Sequence, residues 1–219
     1  QTSLSDWRER IRRKKRPEPA WYQEFGITGW DNLPFAAQEA AALAREWKSA
    51  EQLTGQAATP ALLQQWSATG RLRQYDILHF TTHAISIPFL PELSALVLAP
   101  DEGSNNPYFP QMAIEQLQIN ASLVFLSACE TSIGKLFSGE GSIGLPSAFL
   151  AAGAHSTIAS LWAVHDEHTA RFVQEFYRQL QHLPCADALA ATKRCCLQGT
   201  LGPELQKAFY WGAFLMWGG

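Results

Sequence analysis

Residues 122–131, SLVFLSACET, carry the large apolar side chains Leu123, Val124, Phe125 and Leu126 in a row, then break off at Ser127-Ala128-Cys129-Glu130. An apolar run of this length, closed by small and polar residues, reads as a strand buried on both faces. Residues 75–83, YDILHFTTH, repeat the design, with a strand over 75–80 leading into Thr81-Thr82-His83. Further runs of the same kind lie at 93–99, 156–162 and 209–217. Helical segments separate them, at 111–117, 142–152, 166–183 and 185–197, so the alternation predicts an α/β fold with a mainly parallel sheet covered by helices on both faces.

Upstream, FAAQEAAALAREWKSAEQL from Phe35 is rich in strong helix formers, and Ala37, Ala40, Ala41, Ala44 and Trp47 make a single helical stripe, the expected packing face. A second helix follows, with Thr59 as N-cap, Pro60 at the first helical position and Gly70 as its stop.

The chain has 219 residues and 24.3 kDa, 47% of them hydrophobic, enough for a real core, which excludes wholesale disorder. Its formal charge of −3 is unevenly spread. Residues 1–16 hold Arg8, Arg10, Arg12, Arg13, Lys14, Lys15 and Arg16 against Asp6 and Glu9, and the body beyond them is acidic. An acidic body repels phosphate backbones, so it offers no nucleic-acid surface, and any such contact would rest on the basic segment. That segment reads as a solvated arm or linker over 1–29, followed by one domain over 30–219.

No Met opens the chain and no apolar core follows a basic leader, so Gln1 reads as the start of an excised fragment. The uncharged stretch 141–164 is long enough for a membrane span, but Gly144, Pro146, Gly153 and His155 interrupt it. It reads as a buried helix and a buried strand rather than a span. Cys129, Cys185, Cys195 and Cys196 form no C-x-x-C pair, which argues against a zinc site and predicts no metal or other cofactor; such sparse cysteine use points to a reducing, cytoplasmic compartment.

In an open α/β sheet, functional groups gather beyond the carboxyl ends of the strands. Two strands here end in reactive side chains, His83 and Cys129. A thiol and an imidazole suffice for acyl transfer, because the thiolate is a strong nucleophile and the imidazole can carry its proton to a leaving amine. His165 and His168 stand at helical spacing but lack a third ligand in sequence, and read as surface residues.

DILHFTTH at 76–83, LVFLSACET at 123–131, SGEGSIGLPSAFLAAGA at 138–154 and IASLWAVHDEHTARFVQEFYRQL at 158–180 closely resemble the CHAT family of caspase-like cysteine peptidases, relatives of separase. LPFAAQEAAAL at 33–43 and FYWGAFLMWG at 209–218 match it too. The resemblance implies a cysteine endopeptidase acting on a protein or peptide substrate, with His83 and Cys129 as the catalytic dyad and His79 as a structural histidine. It implies an oxyanion hole of backbone N–H groups from Cys129 and Ala84.

The same resemblance bears on substrate binding. Ser127 occupies the place where metacaspases carry an Asp that helps hold a basic side chain. LWAVHD at 161–166 resembles a separase segment whose Asp contacts an arginine before the cleaved bond, which makes Asp166 the matching carboxylate and implies cleavage after Arg or Lys. Asp166 is also well placed to cap the helix that follows. Gly139-Glu140-Gly141 resembles a family turn at a helix start. Family members are commonly controlled by repeat or sensor segments, so a regulatory protein or repeat domain is an implied partner. Ala84 and Ser132 stand where the family usually has Gly, and they motivate the alternative of a catalytically impaired scaffold that binds peptide or protein partners.

Overall fold

A computed structural model describes residues 3–13, 17–127, 130–132, 144–162, 164 and 166–219, with residues 130–132 and 166 described through their backbone. The chain opens with α1 (Leu4–Arg13), α2 (Pro19–Glu24), α3 (Pro34–Glu46) and α4 (Pro60–Ala68). It continues through β1 (Ile77–Phe80), β2 (His83–Ser86), β3 (Ala95–Val97), β4 (Tyr108–Pro110) and the short α5 (Gln111–Ile114). The remainder is β5 (Leu123–Leu126), β6 (Glu130–Ser132), α6 (Gly144–Ala151), β7 (Ser156–Ser160), α7 (Asp166–Leu180), α8 (Cys185–Leu197) and β8 (Phe214–Gly218).

The main sheet has the order β1-β5-β7-β8, parallel except for β8 at its edge. Alternation along β5 decides which helices cover it. Leu123 and Phe125 point to one face, where Phe172, Val173 and Phe176 of α7 and Ala188, Leu189 and Cys196 of α8 close over them. Val124 and Leu126 point to the other, against Leu63 of α4, Ile114 of α5, and Leu145, Ala148 and Phe149 of α6. The expected α/β architecture with helices on both faces is therefore present, and the stretch 141–164 supplies a buried helix and strand where described. Among the described residues no helix is long and apolar enough to cross a membrane.

The run at 93–99, expected in the main sheet, instead contributes β3 to a second sheet of order β4-β3-β2-β6. Its strands are antiparallel apart from the parallel pair β2–β6. The strands of this sheet are three or four residues long, too short to show a period in sequence. Its apolar face is covered from an unexpected direction. Trp7 and Ile11 of α1 and Trp21 and Tyr22 of α2 form one cluster with Ile85, Ala95, Val97 and Tyr108. Trp7 is only 4% exposed, Tyr22 stacks on Tyr108 with centroids 3.7 Å apart, and Arg10 bridges to Glu24 at 3.0 Å. Charge alone sets residues 1–29 apart as an arm, yet Arg8, Arg10, Arg12 and Arg13 lie exposed on a helix whose Trp7 and Ile11 dock on the body.

Helix α3 covers part of the expected stripe and buries a residue outside it. Leu43, and Trp47 just beyond the helix end, pack against the α7 side of the core, Ala37 is exposed, and the one fully buried residue of the helix is the charged Glu39. A carboxylate on an Ala-rich helix reads as solvent-facing in sequence; its burial has to be set by partners from elsewhere in the fold.

Two glycines with positive φ separate backbone strain from crowding. Gly26 has φ +82 and open space where a Cβ would stand, while Gly153, φ +112, would place a Cβ 2.4 Å from the Ile119 carbonyl oxygen. Gly26→Ala is expected to cost about 1 kcal/mol, and Gly153→Ala roughly 3 kcal/mol or more, because the clash is with backbone that cannot rotate away. Urea titrations of the two variants check this ordering, and equal losses would contradict it.

Candidate active site

β1 and β5 run side by side and in the same direction, with Phe80 opposite Leu126. The pairing extends one step further, as Ser127 N–H donates to Phe80 O at 2.8 Å. Both chains then leave the main sheet on its carboxyl edge. They meet again in the second sheet, where β2 and β6 pair in parallel with Ala84 opposite Glu130. His83 is the first residue of β2 and half-buried. Cys129 lies outside the described residues, as do Ala128, the Gly139-Glu140-Gly141 turn and His165.

The imidazole of His83 is held on its far side. Its Nε2 lies 2.7 Å from Asp31 O, and since a carbonyl can only accept, Nε2 carries the proton. In the neutral ring this leaves the lone pair on Nδ1. Trp30 packs over the ring at 4.9 Å between centroids, and is fixed in turn against Tyr108 at 6.4 Å. Burial pushes the Tyr108 phenol upward, so its hydroxyl keeps its proton. Neither Trp30 nor the Asp31 carbonyl is visible as a site residue in sequence, because a main-chain acceptor has no residue signature.

Behind the strand ends sits a closed polar network. His79, in β1, has Nε2 at 2.7 Å from Glu39 Oε1 and Nδ1 at 3.0 Å from the Tyr177 hydroxyl. The other oxygen of Glu39 accepts from Ser127 Oγ at 3.1 Å. Glu39 is 1% exposed. Burial drives the Tyr177 phenol well above its usual range, so Tyr177 stays a protonated hydroxyl, and His79 also stacks on Phe125 at 5.2 Å. Ser127, expected as a substrate-side residue, thus has its hydroxyl directed to Glu39. The only sequence signal for Glu39 was its place in the LPFAAQEAAAL match.

Ala84 is buried in β2, paired with Leu96 on one side and Glu130 on the other. Ser132 sits opposite Ser86 in β6, and among the described residues no residue other than Gly has a positive φ. Asp166 is the first residue of α7; its side chain lies outside the described residues. His168 packs edge-on against Tyr210 at 4.3 Å. Among the described residues, no cluster of three or more His, Cys, Asp or Glu side chains could hold a metal ion.

This two-sheet α/β body, with paired strands delivering a histidine to the sheet edge, defines a caspase-like domain. The CHAT domain family model matches residues 8–219, and the chain belongs to that family. Tetratricopeptide repeat protein 28 from Mus musculus is 27% identical over 188 residues, 69% of this chain and 7% of its own length. The protein of the same name from Homo sapiens is 29% identical over 188 residues, again 69% of this chain and 7% of its own. The chain therefore spans a small fraction of the curated relatives it matches.

Cys185 and Cys196 are chemically quiet. Burial raises the Cys185 thiol to about 11 and the Cys196 thiol to about 12, so both are protonated near neutrality and turn nucleophilic only as pH climbs toward those values. Limited alkylation at pH 7 followed by peptide mass spectrometry is expected to label Cys129 first and leave Cys185 and Cys196 unmodified. Early label on Cys185 or Cys196 would contradict the assignment of the reactive thiol.

Proposed function

We propose that the chain is the peptidase domain of a caspase-like cysteine endopeptidase in which Cys129 is the nucleophile and His83 its proton carrier. One observation carries the reading: the two segments are tied together on both sides of the candidate residues. Ser127 N–H bonds Phe80 O before them, and Ala84 pairs with Glu130 immediately after them. Segments this short, pinned at both ends, support placing the thiol beside the imidazole.

In the reaction, His83 Nδ1 takes the Cys129 proton and the thiolate attacks the peptide carbonyl. The imidazolium formed keeps its Nε2–H on the Asp31 carbonyl, then gives the Nδ1 proton to the departing amine. Water, deprotonated by the same nitrogen, hydrolyses the acyl-enzyme and restores the thiol. The oxyanion is assigned to the backbone N–H groups of Cys129 and Ala84. A basic residue before the cut is assigned to the Asp166 carboxylate, through a charge-assisted bond with Arg or Lys.

The extended backbone at Ala84 and Ser132 supports the active reading over a peptide-binding scaffold, because neither position asks for the left-handed conformation that Gly takes most easily. The repeat-containing relatives support control by a repeat segment or partner protein that governs access to the site. A thiolate nucleophile fits the reducing cytoplasm.

Cys129→Ala and His83→Ala are expected to abolish cleavage in a peptide-library assay, with Cys185→Ser, Cys195→Ser and Cys196→Ser retaining it. Asp166→Asn should lower kcat/KM on an arginine peptide about 100-fold, as breaking a desolvated charged hydrogen bond does. Cleavage after acidic or apolar residues by the wild type would overturn the specificity, and activity in Cys129→Ala would overturn the mechanism.

A further inference from the structure

Resting on that reading, we infer that Glu39 is a positioning residue of the dyad: its buried carboxylate clamps the strand end that carries Cys129 to the one that carries His83. Its two oxygens take different strands. Oε1 meets His79 Nε2 at 2.7 Å, in β1, four residues before His83. Oε2 accepts the Ser127 hydroxyl at 3.1 Å, just after β5 and two residues before Cys129. The helix that bears Glu39 starts at Pro34, three residues after Asp31, whose carbonyl holds His83 Nε2 at 2.7 Å. One side chain of this helix thus meets both arms of the site, and the residues leading into the helix hold His83 as well.

Energetics favour a geometric role over a merely stabilising one. A buried carboxylate loses its hydration, a loss offset only by complete hydrogen bonding, and an apolar side chain of similar volume is commonly as stable or more so. On α3, whose other covered positions are apolar, the one buried acidic residue is the one that touches both site-bearing strands. Hydrogen bonds are directional where apolar contacts are not, so Glu39 fixes the spacing of the two strand ends in a way that Leu could not. An error of about 1 Å between nucleophile and base can cost about 100-fold in rate.

The test uses the complete 219-residue chain with Glu39→Gln and, because a buried substitution can prevent folding, Ser127→Ala, which removes only one hydroxyl. The probe is iodoacetamide at pH 6.5, read by mass spectrometry at Cys129, with thermal unfolding as the fold check and steady-state cleavage of an arginine peptide beside it. The wild type should alkylate at Cys129 at least about tenfold faster than the urea-unfolded chain. In folded Ser127→Ala or Glu39→Gln that advantage should fall about tenfold, and kcat should drop with KM within about twofold. Wild-type rates at Cys129 and unchanged kcat in a folded variant would overturn the clamp while leaving the dyad standing. A wild type no faster than the unfolded chain would overturn the dyad, and the clamp with it.

Discussion

Everything at the candidate site depends on the parallel pairing of β1 with β5. Parallel neighbours end on the same edge of a sheet, so two chains that pair from Ile77 opposite Leu123 to Phe80 opposite Leu126 must release their next residues at one place. What the sequence puts there is a histidine on one chain and a cysteine on the other. The main sheet needs only two apolar faces to exist, but it needs this strand order to release both segments at one edge. Phe125 buries its ring at the centre of the α7 and α8 side, within 5.2 Å of Phe176 and 5.9 Å of Phe214, and so ties the register of β5 to the packing of the whole face.

The second sheet joins the two chains again beyond that edge. In it, β2 and β6 are paired at Ala84 and Glu130, and β2 is backed by β3 and β4. The aromatic cluster built from α1 and α2 is what buries the outer face of this sheet. A basic amino-terminal segment therefore contributes to the site at a distance, by covering the sheet on which His83 begins.

The main strands and long helices were legible because they carry short apolar runs or a clear helical stripe between turn signals, as in 122–127 and 166–183. Of the small sheet, the run at 93–99 was legible as the strand that holds Ala95–Val97, but its partners were not, since three residues such as Tyr108–Pro110 leave no periodicity and pair only because the larger fold brings them together. The docking of Trp7 and Ile11 was masked by the dense positive charge around them. His83 and Cys129 stood out by chemistry and by family resemblance, whereas the Asp31 carbonyl could not, being main chain. Glu39 stood out only through its place in the family match, since a charged side chain on an Ala-rich helix gives no physical hint that two strands will bury it.

Covalent trapping by a peptidyl acyloxymethyl ketone ending in arginine tests the central claim most directly, because the probe needs an activated thiol and a site that accepts a basic side chain together. Intact mass and peptide mapping of the wild type should show a single addition, on Cys129, that disappears when His83 is replaced by Ala. Addition at Cys185, Cys195 or Cys196, or undiminished labelling of Cys129 without His83, would contradict a dyad formed where β1 and β5 end.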